Sequence, residues 1–164
     1  KQKSIGFPNK AIADELNAVH QYMYFHFHCD DFGYHLLSKQ VKRTAIEEMM
    51  HVEKLADRIL FLKGEVEIKA ADEVKKTHDV RKMLEMATGM ETGSMRDYNE
   101  WANECSKNAD SASKKIFEAL VDDEERHYDQ FDKEMENLVK FGDNYLALQS
   151  IERSKSIAAG RPTE

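Results

Sequence analysis

Turn-forming residues and cysteines are scarce in this chain of 164 residues. Seven glycines and two prolines leave few places for turns, which predicts long helices joined by few connections. The two cysteines, Cys29 and Cys105, are too few for a disulfide framework, and their predicted places on antiparallel helices are too far apart to bridge. We therefore expect free thiols in a reducing cytoplasm.

Long apolar runs and an excess of positive charge are also missing. No run approaches the roughly 20 residues that cross a bilayer, and the first ten residues lack the apolar core of a signal peptide. A formal net charge of −7 disfavours nucleic acid as a partner and suits the attraction of cations. The length suits one core, so we predict a single domain over residues 1–164 without membrane or nucleic-acid partners.

Hydrophobic periodicity predicts an all-α fold, in which four long helices form a bundle over about residues 8–141. A short fifth helix is predicted at about 144–153, and the tail at 154–164 has no strong pattern. Start and stop signals set the helix bounds. The starts are Pro8, Leu36, Asp79 and either Asp110 or Ser111, and the stops are Gly33, Gly64 and Gly142.

The connection between Gly64 and Thr77 is too long for a tight turn. Its 14 residues span about 45 Å when extended, and a 28-residue helix is about 42 Å long. The connection can therefore run along the whole bundle, which makes the second and third helices parallel. We predict a four-helix bundle with one long crossover connection.

The reactive side chains repeat at an offset of 76 residues. Each half carries a glutamate followed 33 residues later by Glu-x-x-His. The repeated pairs are Glu15 and Glu91, Glu48 and Glu124, His51 and His127, Tyr22 and Tyr98, and Cys29 and Cys105. The Glu-x-x-His spacing places a carboxylate and an imidazole on one helix face. Four carboxylates and two imidazoles are the ligand set of a carboxylate-bridged dinuclear metal site in a helix bundle.

All four glutamates fall within apolar stripes, so we expect their carboxylates to face the core. Unpaired carboxylates there are costly, and dications would neutralise them. Oxygen ligands with one imidazole per ion favour iron or manganese over copper or structural zinc. One Glu-x-x-His in a Glu-rich chain is usually a surface pair, but two at the same internal offset favour metal. We expect core or surface roles for the remaining histidines, His20, His26, His28, His35 and His78.

Four segments resemble bacterioferritin, the haem-containing branch of the ferritin superfamily: ADELNAVHQY, AIEEMMHVEKLADRILFLKGE, DDEERH and FGDNYLALQ. The resemblance implies a ferritin-like four-helix bundle with one long crossover connection and a short fifth C-terminal helix. It also implies a ferroxidase centre for two iron ions, with ligands Glu15, Glu48, His51, Glu91, Glu124 and His127. Glu48 and Glu124 would bridge the two irons, and the other glutamate and the histidine at each end would be terminal ligands.

Tyr22 and Met49 are the next positions that the resemblance singles out. Tyr22 would hydrogen-bond a ligand or supply an electron, unless it is only a packed core tyrosine. Met49 would ligate haem iron together with the same methionine of a second subunit, giving one haem b or iron-coproporphyrin per subunit dimer. Val19, Met23 and Ile46 would line that pocket. The alternative for Met49 is ordinary packing at a helix seam.

Two positions depart from the family pattern. Arg43 stands where some members have a histidine on the cavity wall, and Gln130 stands where some have a tryptophan. These departures leave open how iron enters the cavity and how electrons leave the site.

The function implied by the resemblance is an iron store with ferroxidase activity. Fe(II) would be oxidised by O2 or H2O2, and ferric mineral would be kept in a hollow shell. The fifth helix favours a homo-oligomer of 24 subunits built from two-fold dimers, with a ferredoxin-type electron donor as a candidate partner. The alternatives are a Dps-like dodecamer, a rubrerythrin-like peroxidase and a purely structural bundle. The acidic charge and the missing basic N-terminal arm disfavour the first, and the missing Cys-x-x-Cys pair disfavours the second.

Overall fold

The computed structural model of the protein describes residues 2–161, and the side chains of residues 6–161. Over this range the chain forms five α-helices and no β-strand, which confirms the predicted all-α fold. The helices are α1 (Gln2–Asp31), α2 (His35–Phe61), α3 (Val80–Lys107), α4 (Ser111–Phe141) and α5 (Asp143–Ala158). None of these described helices is long and apolar enough to cross a membrane.

The first four helices pack as two antiparallel pairs, α1 with α2 and α3 with α4. A tight turn closes each pair. In the first turn the Tyr34 N–H donates to the Cys29 carbonyl at 2.8 Å, and in the second the Asp110 N–H donates to the Cys105 carbonyl at 2.9 Å. These residues are related by the 76-residue offset, so the repeat extends to the backbone of the turns.

Helix ends follow the start and stop signals in most places. The Asp79 and Asp110 carboxylates accept hydrogen bonds from the N–H groups of Lys82 and Ser113, at 2.9 and 3.1 Å. The predicted N-cap Asp79 is therefore confirmed, and of the two alternatives for α4 the structure has Asp110 and not Ser111. Each cap satisfies a backbone donor that the first turn leaves free. Gly142 ends α4 with a φ of 56°, a conformation that favours glycine.

The connection between α2 and α3 lies along α1 and is held near both ends by amide side chains. Asn9 donates to the Glu65 carbonyl at 2.9 Å and accepts from the Glu67 N–H at 3.0 Å. Gln21 donates to the Lys75 carbonyl at 3.0 Å and accepts from the Lys75 N–H at 2.8 Å. The extended segment thereby gains partners for backbone groups that no strand or helix satisfies.

Contacts between α1 and α3 establish the helix directions. Tyr22 reaches Glu91, and Glu15 reaches Tyr98, so the two helices run antiparallel. Because α1 is also antiparallel to α2, the second and third helices are parallel. The predicted long crossover is therefore confirmed.

A polar layer divides the core into two apolar clusters. The Phe25 cluster lies toward the turn between α1 and α2 and includes Tyr22, Phe25, Cys29, Leu37, Val41, Leu84 and Phe131. The Phe117 cluster lies toward the turn between α3 and α4 and includes Ile12, Leu55, Tyr98, Trp101, Cys105, Phe117 and Leu120. On every helix of the bundle, the predicted ligands stand between residues of these two clusters.

The start of α1 differs from the prediction, because the helix begins at Gln2 and not near Pro8. Pro8 lies buried inside the helix, where its ring removes one backbone hydrogen bond. The Phe7 ring stacks on Trp101 with centroids 5.8 Å apart. This tertiary contact stabilises the turn before the proline, which a local start signal could not reveal.

The fifth helix is longer than the predicted 144–153 segment. Residues 154–158 of the supposed tail are helical, and residues 162–164 lie outside the described range. Arg153 donates to the Asp30 carbonyl, and Gln149 accepts from the Leu37 N–H at 3.2 Å. These bonds tie α5 to the turn between α1 and α2. Beyond them the helix continues, because residues 154–158 contain no glycine or proline.

Candidate metal centre

Six side chains converge in the polar layer: Glu15, Glu48, His51, Glu91, Glu124 and His127. α1 and α3 each supply one glutamate, and α2 and α4 each supply a Glu-x-x-His pair. Each of the six residues is at most 2% exposed. They form two overlapping groups of four, and within each group the candidate ligand atoms lie within 4.8 Å of one another. Glu48 and Glu124 belong to both groups, as bridging positions require.

Both imidazoles present Nδ1 to the carboxylates. His51 Nδ1 lies 3.3 Å from Glu15 Oε1 and 3.2 Å from Glu124 Oε1. His127 Nδ1 lies 2.7 Å from Glu48 Oε1, without the geometry of a hydrogen bond. The Glu-x-x-His spacing is the local cause, since residues three apart share one face of a helix.

Burial and repulsion perturb the titration of the cluster. Burial, followed by repulsion from Glu15, raises the pKa of both Glu48 and Glu124 well above the ordinary range. Burial opposes the charged form of His51 and His127, but the surrounding carboxylates outweigh it and raise the pKa of both. For Glu15, burial is outweighed by hydrogen bonds within the cluster, which lower its pKa. Protons therefore compete with cations for this site.

Buried polar atoms at the centre lack hydrogen-bond partners among the described residues. They are Glu15 Oε2, Glu48 Oε1, Glu91 Oε2, Glu124 Oε1 and His127 Nδ1. Such atoms are costly in a core unless an ion or water completes their contacts. Carboxylate oxygens with one imidazole per ion suit iron or manganese. The residues present thus fit two dications.

Two tyrosines hold the glutamates of α1 and α3. Tyr22 donates to Glu91 Oε1 at 2.6 Å, and Tyr98 donates to Glu15 Oε1 at 2.5 Å. Burial and the adjacent glutamates raise the pKa of both phenols, so both remain donors. Tyr22 lies beside the site as predicted. Tyr98 was not singled out for this role, although the 76-residue offset placed it on Tyr22.

Two further carboxylates hold the outer nitrogens of the imidazoles. His51 Nε2 lies 2.8 Å from Asp123 Oδ2, and His127 Nε2 lies 2.6 Å from Glu47 Oε2. Such partners fix the tautomer and orientation of a metal-binding histidine. Neither residue was predicted from the sequence, although the two are also 76 residues apart and directly precede Glu124 and Glu48.

A cavity of about 150 Å³ opens beside the centre between α1 and α3. Glu48, Glu91 and Glu124 line its inner end, and its lining also includes Asp14 and Asp97. Burial, then repulsion from Asp97 and Glu15, raises the pKa of Asp14 to about 6. The cavity therefore connects the buried carboxylates with an acidic surface.

The predicted haem-pocket residues lie apart from the six converging side chains. Met49 is 48% exposed and Ile46 is 46% exposed on α2, while Val19 and Met23 are half-buried on α1. An exposed apolar face of this kind suits contact with another surface.

The remaining predicted positions are distributed around the bundle. Cys29 and Cys105 are unbridged in the described structure and lie in different apolar clusters. Arg43 and Gln130 both line a surface groove, together with Leu36 and Lys39.

Known proteins share the fold of this chain and are similar to it over most of its length. The Ferritin-like domain family matches residues 9–141. The bacterioferritin of Desulfovibrio desulfuricans is 33% identical over 90% of this chain and 82% of its own length. That of Rhodobacter capsulatus is 34% identical over 89% of this chain and 91% of its own length.

Solved structures of the same two proteins superpose closely. The D. desulfuricans bacterioferritin, whose diiron site was captured in different catalytic states, has a TM-score of 0.89 and 32% identity over 91% of this chain and 87% of its own. The R. capsulatus protein, with a metal-free dinuclear site and haem iron in a crystallographic special position, has a TM-score of 0.87 and 32% identity over 92% of this chain and 94% of its own. The chain has the ferritin-like fold and belongs to the bacterioferritin family.

Proposed function

We propose that this protein is an iron-storage ferroxidase. Two Fe(II) ions bind per subunit among the six converging side chains, are oxidised by O2 or H2O2, and pass as Fe(III) to a mineral inside a hollow shell. The observation that carries the proposal is the pair of overlapping buried groups, which share Glu48 and Glu124 and leave carboxylate oxygens without partners. The diiron site of the D. desulfuricans relative supports iron as the metal.

The six converging residues divide into bridging and terminal ligands in this proposal. Glu48 and Glu124 bridge the two ions, because they alone belong to both groups of the centre. Glu15 and His51 are the terminal ligands of one ion. Glu91 and His127, the equivalent residues of the second half, are the terminal ligands of the other. Tyr22 and Tyr98 hold the terminal glutamates by hydrogen bonds.

The reaction balances with iron as the substrate. Two Fe(II) ions give two electrons, and O2 takes these with two protons to form H2O2. Alternatively, H2O2 takes two electrons and two protons to form two waters. The protein holds both ions next to the space where the oxidant binds. Asp14 and Asp97 support the cavity between α1 and α3 as the approach for Fe(II), because acidic walls concentrate cations.

Haem and assembly form the second part of the proposal. Met49 ligates haem iron together with the Met49 of a second subunit, and Ile46, Val19 and Met23 line the pocket for haem b or iron-coproporphyrin. The exposure of Met49 and Ile46 supports this, as does the haem iron on a symmetry element in the R. capsulatus relative. Two-fold dimers then build a shell of 24 subunits in the cytoplasm, and a ferredoxin-type protein donates electrons for iron release.

A Dps-like or rubrerythrin-like peroxide-protection protein is the alternative use of the same centre. All six side chains come from one chain, which favours bacterioferritin over the Dps arrangement between subunits. Comparison of Fe(II) oxidation rates with O2 and with H2O2 separates storage from peroxide removal, since only the latter requires a strong preference for peroxide.

The decisive test is replacement of a bridging glutamate. We expect Glu48→Ala to oxidise Fe(II) no faster than buffer, because both ions lose a shared ligand. Glu53→Ala on the exposed side of the same helix is the matched control and should behave as the native protein. Absorbance of Fe(III) under air gives the rate, and Co(II) titration gives the number of bound ions. Unchanged oxidation in Glu48→Ala would refute the proposal.

A further inference from the structure

Outside the six converging side chains, one arginine joins the carboxylates that hold the two imidazoles. Arg126 Nη2 donates to Glu47 Oε2 at 2.5 Å and lies 3.3 Å from Asp123 Oδ1, while its Nη1 lies 3.4 Å from Glu47 Oε1. Glu47 in turn contacts His127, and Asp123 contacts His51. The five side chains form one continuous chain of hydrogen bonds, which we call the Arg126 bridge.

The bridge spans the α2–α4 side of the centre and links both metal-facing rings. The rings of His51 and His127 stack at an interplanar angle of 29°, with centroids 6.1 Å apart. Each ring directs Nδ1 inward and Nε2 to its outer carboxylate. Because the same guanidinium contacts both outer carboxylates, a shift of one ring is transmitted to the other.

The bridge is also where the internal repeat breaks. Glu47 and Asp123 are equivalent under the 76-residue offset, whereas the counterpart of Arg126 is Met50. One arginine therefore serves both halves. Its planar group contacts both oxygens of Glu47 through two nitrogens while also reaching Asp123, and the shorter, freely rotating ammonium of a lysine does not fix that geometry.

We infer that Arg126 is a positioning residue that couples the two cation sites by holding both imidazoles through Glu47 and Asp123. The inference rests on the proposed dinuclear centre but adds a residue that ligates no metal. Loss of the bridge should weaken binding and make the two sites unequal, since each histidine would be oriented independently. Changes to the partners of metal-binding histidines typically weaken metal affinity about 10–100-fold. We expect about tenfold here, because Arg126 acts one step further out.

Co(II) binding to the metal-free full-length protein under argon provides the test, because its absorption reports coordination directly and requires no turnover. The variants are Arg126→Gln, which removes the charge and the bridge, and Arg126→Lys, which keeps the charge only. Arg43→Gln is the matched control. Arg43 lies 3.8 Å from Glu47 and is 85% exposed, so this variant removes the same charge near the same carboxylate without breaking the bridge.

We expect Arg126→Gln and Arg126→Lys to bind Co(II) about tenfold more weakly, with two separable steps and altered absorption bands. Arg43→Gln should stay within about twofold of the native protein, as expected for a screened surface charge. Native-like binding by Arg126→Gln would overturn the inference, and so would tighter binding, which would mean that the arginine acts only by repelling cations. Full recovery in Arg126→Lys would overturn bridging in favour of charge alone.

The number of Co(II) ions bound distinguishes failure of the proposed function from failure of the Arg126 bridge. If the native protein binds fewer than two Co(II) ions per subunit, the proposed function fails. If it binds two and Arg126→Gln is unchanged, only the Arg126 bridge is refuted. Because Arg126 is 45% exposed, its replacement should leave the fold intact, and thermal unfolding of the metal-free variants checks this directly. Should Arg126→Gln not fold, Arg126→Lys alone decides the inference.

Discussion

In the buried layer, the half formed by α1 and α2 and the half formed by α3 and α4 present the same side chains to each other. Each contributes a glutamate, a Glu-x-x-His pair, a tyrosine that holds the opposite glutamate, and an acidic residue that holds the opposite histidine. Even the tight turns share one backbone hydrogen bond. Two ions in equivalent surroundings would need equivalent ligands, and each half of the interior supplies one equivalent set of candidate ligands.

On the outer surface the two halves differ. Under the 76-residue offset, apolar residues of the first half are equivalent to polar residues of the second. The pairs are Met23 and Asn99, Ile46 and Asp122, and Met49 and Glu125. The first half thus exposes an apolar face, and the second exposes a solvated face. The comparison teaches that the proposed metal centre would constrain the inside of both halves, while the proposed two-fold interface would constrain the outside of only the first.

The largest expected effect comes from removing one terminal glutamate in either half. Glu15→Ala and Glu91→Ala should each reduce bound Co(II) from two ions to one per subunit, because neither residue bridges. Fe(II) oxidation should slow by about a thousandfold or more, since two-electron reduction of the oxidant requires both ions. Calorimetry and aerobic absorbance measure the two quantities. A large inequality between the two variants would contradict the equivalence of the halves.

A double substitution replaces apolar residues of the exposed face by the polar residues found at the equivalent positions of the second half. Ile46→Asp with Met49→Glu should weaken the proposed two-fold dimer and prevent haem binding, because each subunit would bury two charges at the interface. We expect association to weaken by about a hundredfold or more. Light scattering and the pyridine haemochrome spectrum report assembly and haem separately. The reverse change Glu125→Met should leave both unaltered, and native assembly of the double variant would refute the assignment of this face.

The pH dependence of stability tests whether both halves hold protons in place of cations. The pKa values of Glu48 and Glu124 are raised from 4.5, those of His51 and His127 are raised from 6.5, and that of Asp14 is raised to about 6. In each case the folded chain retains a proton that the unfolded chain releases, so stability falls as pH rises.

We therefore expect the thermal midpoint of the metal-free protein to fall between about pH 5 and pH 8. The lowered pKa of Glu15 acts in the opposite direction, and its contribution is lost as pH falls below 4.5. Added Co(II) should raise the midpoint most at the alkaline end, where protons no longer compete. Scanning fluorimetry across this range checks both trends. A midpoint that rises with pH without metal would contradict the protonated cluster.

The smallest expected effect concerns the two turns. Gly33 has a φ of 80° and its counterpart Ala109 a φ of 56°, so equivalent positions carry different residues in the same left-handed region. Gly33→Ala should destabilise by about 1–2 kcal/mol, and its added Cβ would also lie 3.3 Å from Ser150 Oγ. Ala109→Gly should change stability by less than about 1 kcal/mol, because relief of strain offsets the greater freedom of the unfolded chain. Thermal midpoints measured side by side test the contrast.

Much of the site could be anticipated from residue spacing. Glu15 and Glu48 lie in apolar stripes, and the offset pairs them with their partners in the second half. Periodicity along single helices was sufficient for this, since side-chain direction follows from position in an α-helix. Helix caps were also predictable, because an N-cap depends only on neighbouring residues. Asp79 was expected alone, and Asp110 was expected as one of two alternatives with Ser111.

Contacts between residues that are far apart in the chain could not be predicted from local periodicity. The start of α1 depends on Phe7 stacking against Trp101, and the docking of α5 depends on Arg153 at the carbonyl of Asp30. Neither partner is adjacent in the chain, so no local signal marks them. The contacts of Tyr98 with Glu15 and of Arg126 with Glu47 likewise join separate helices.

The amino-acid sequence by itself determined the helices, the repeated set of candidate ligands and the crossover, because each follows from local periodicity or chain length. The tertiary structure decided which residues hold those ligands and which cavity leads to them. Hydrogen bonds and ion pairs act over about 3 Å, and only packing determines which side chains from separate helices come that close.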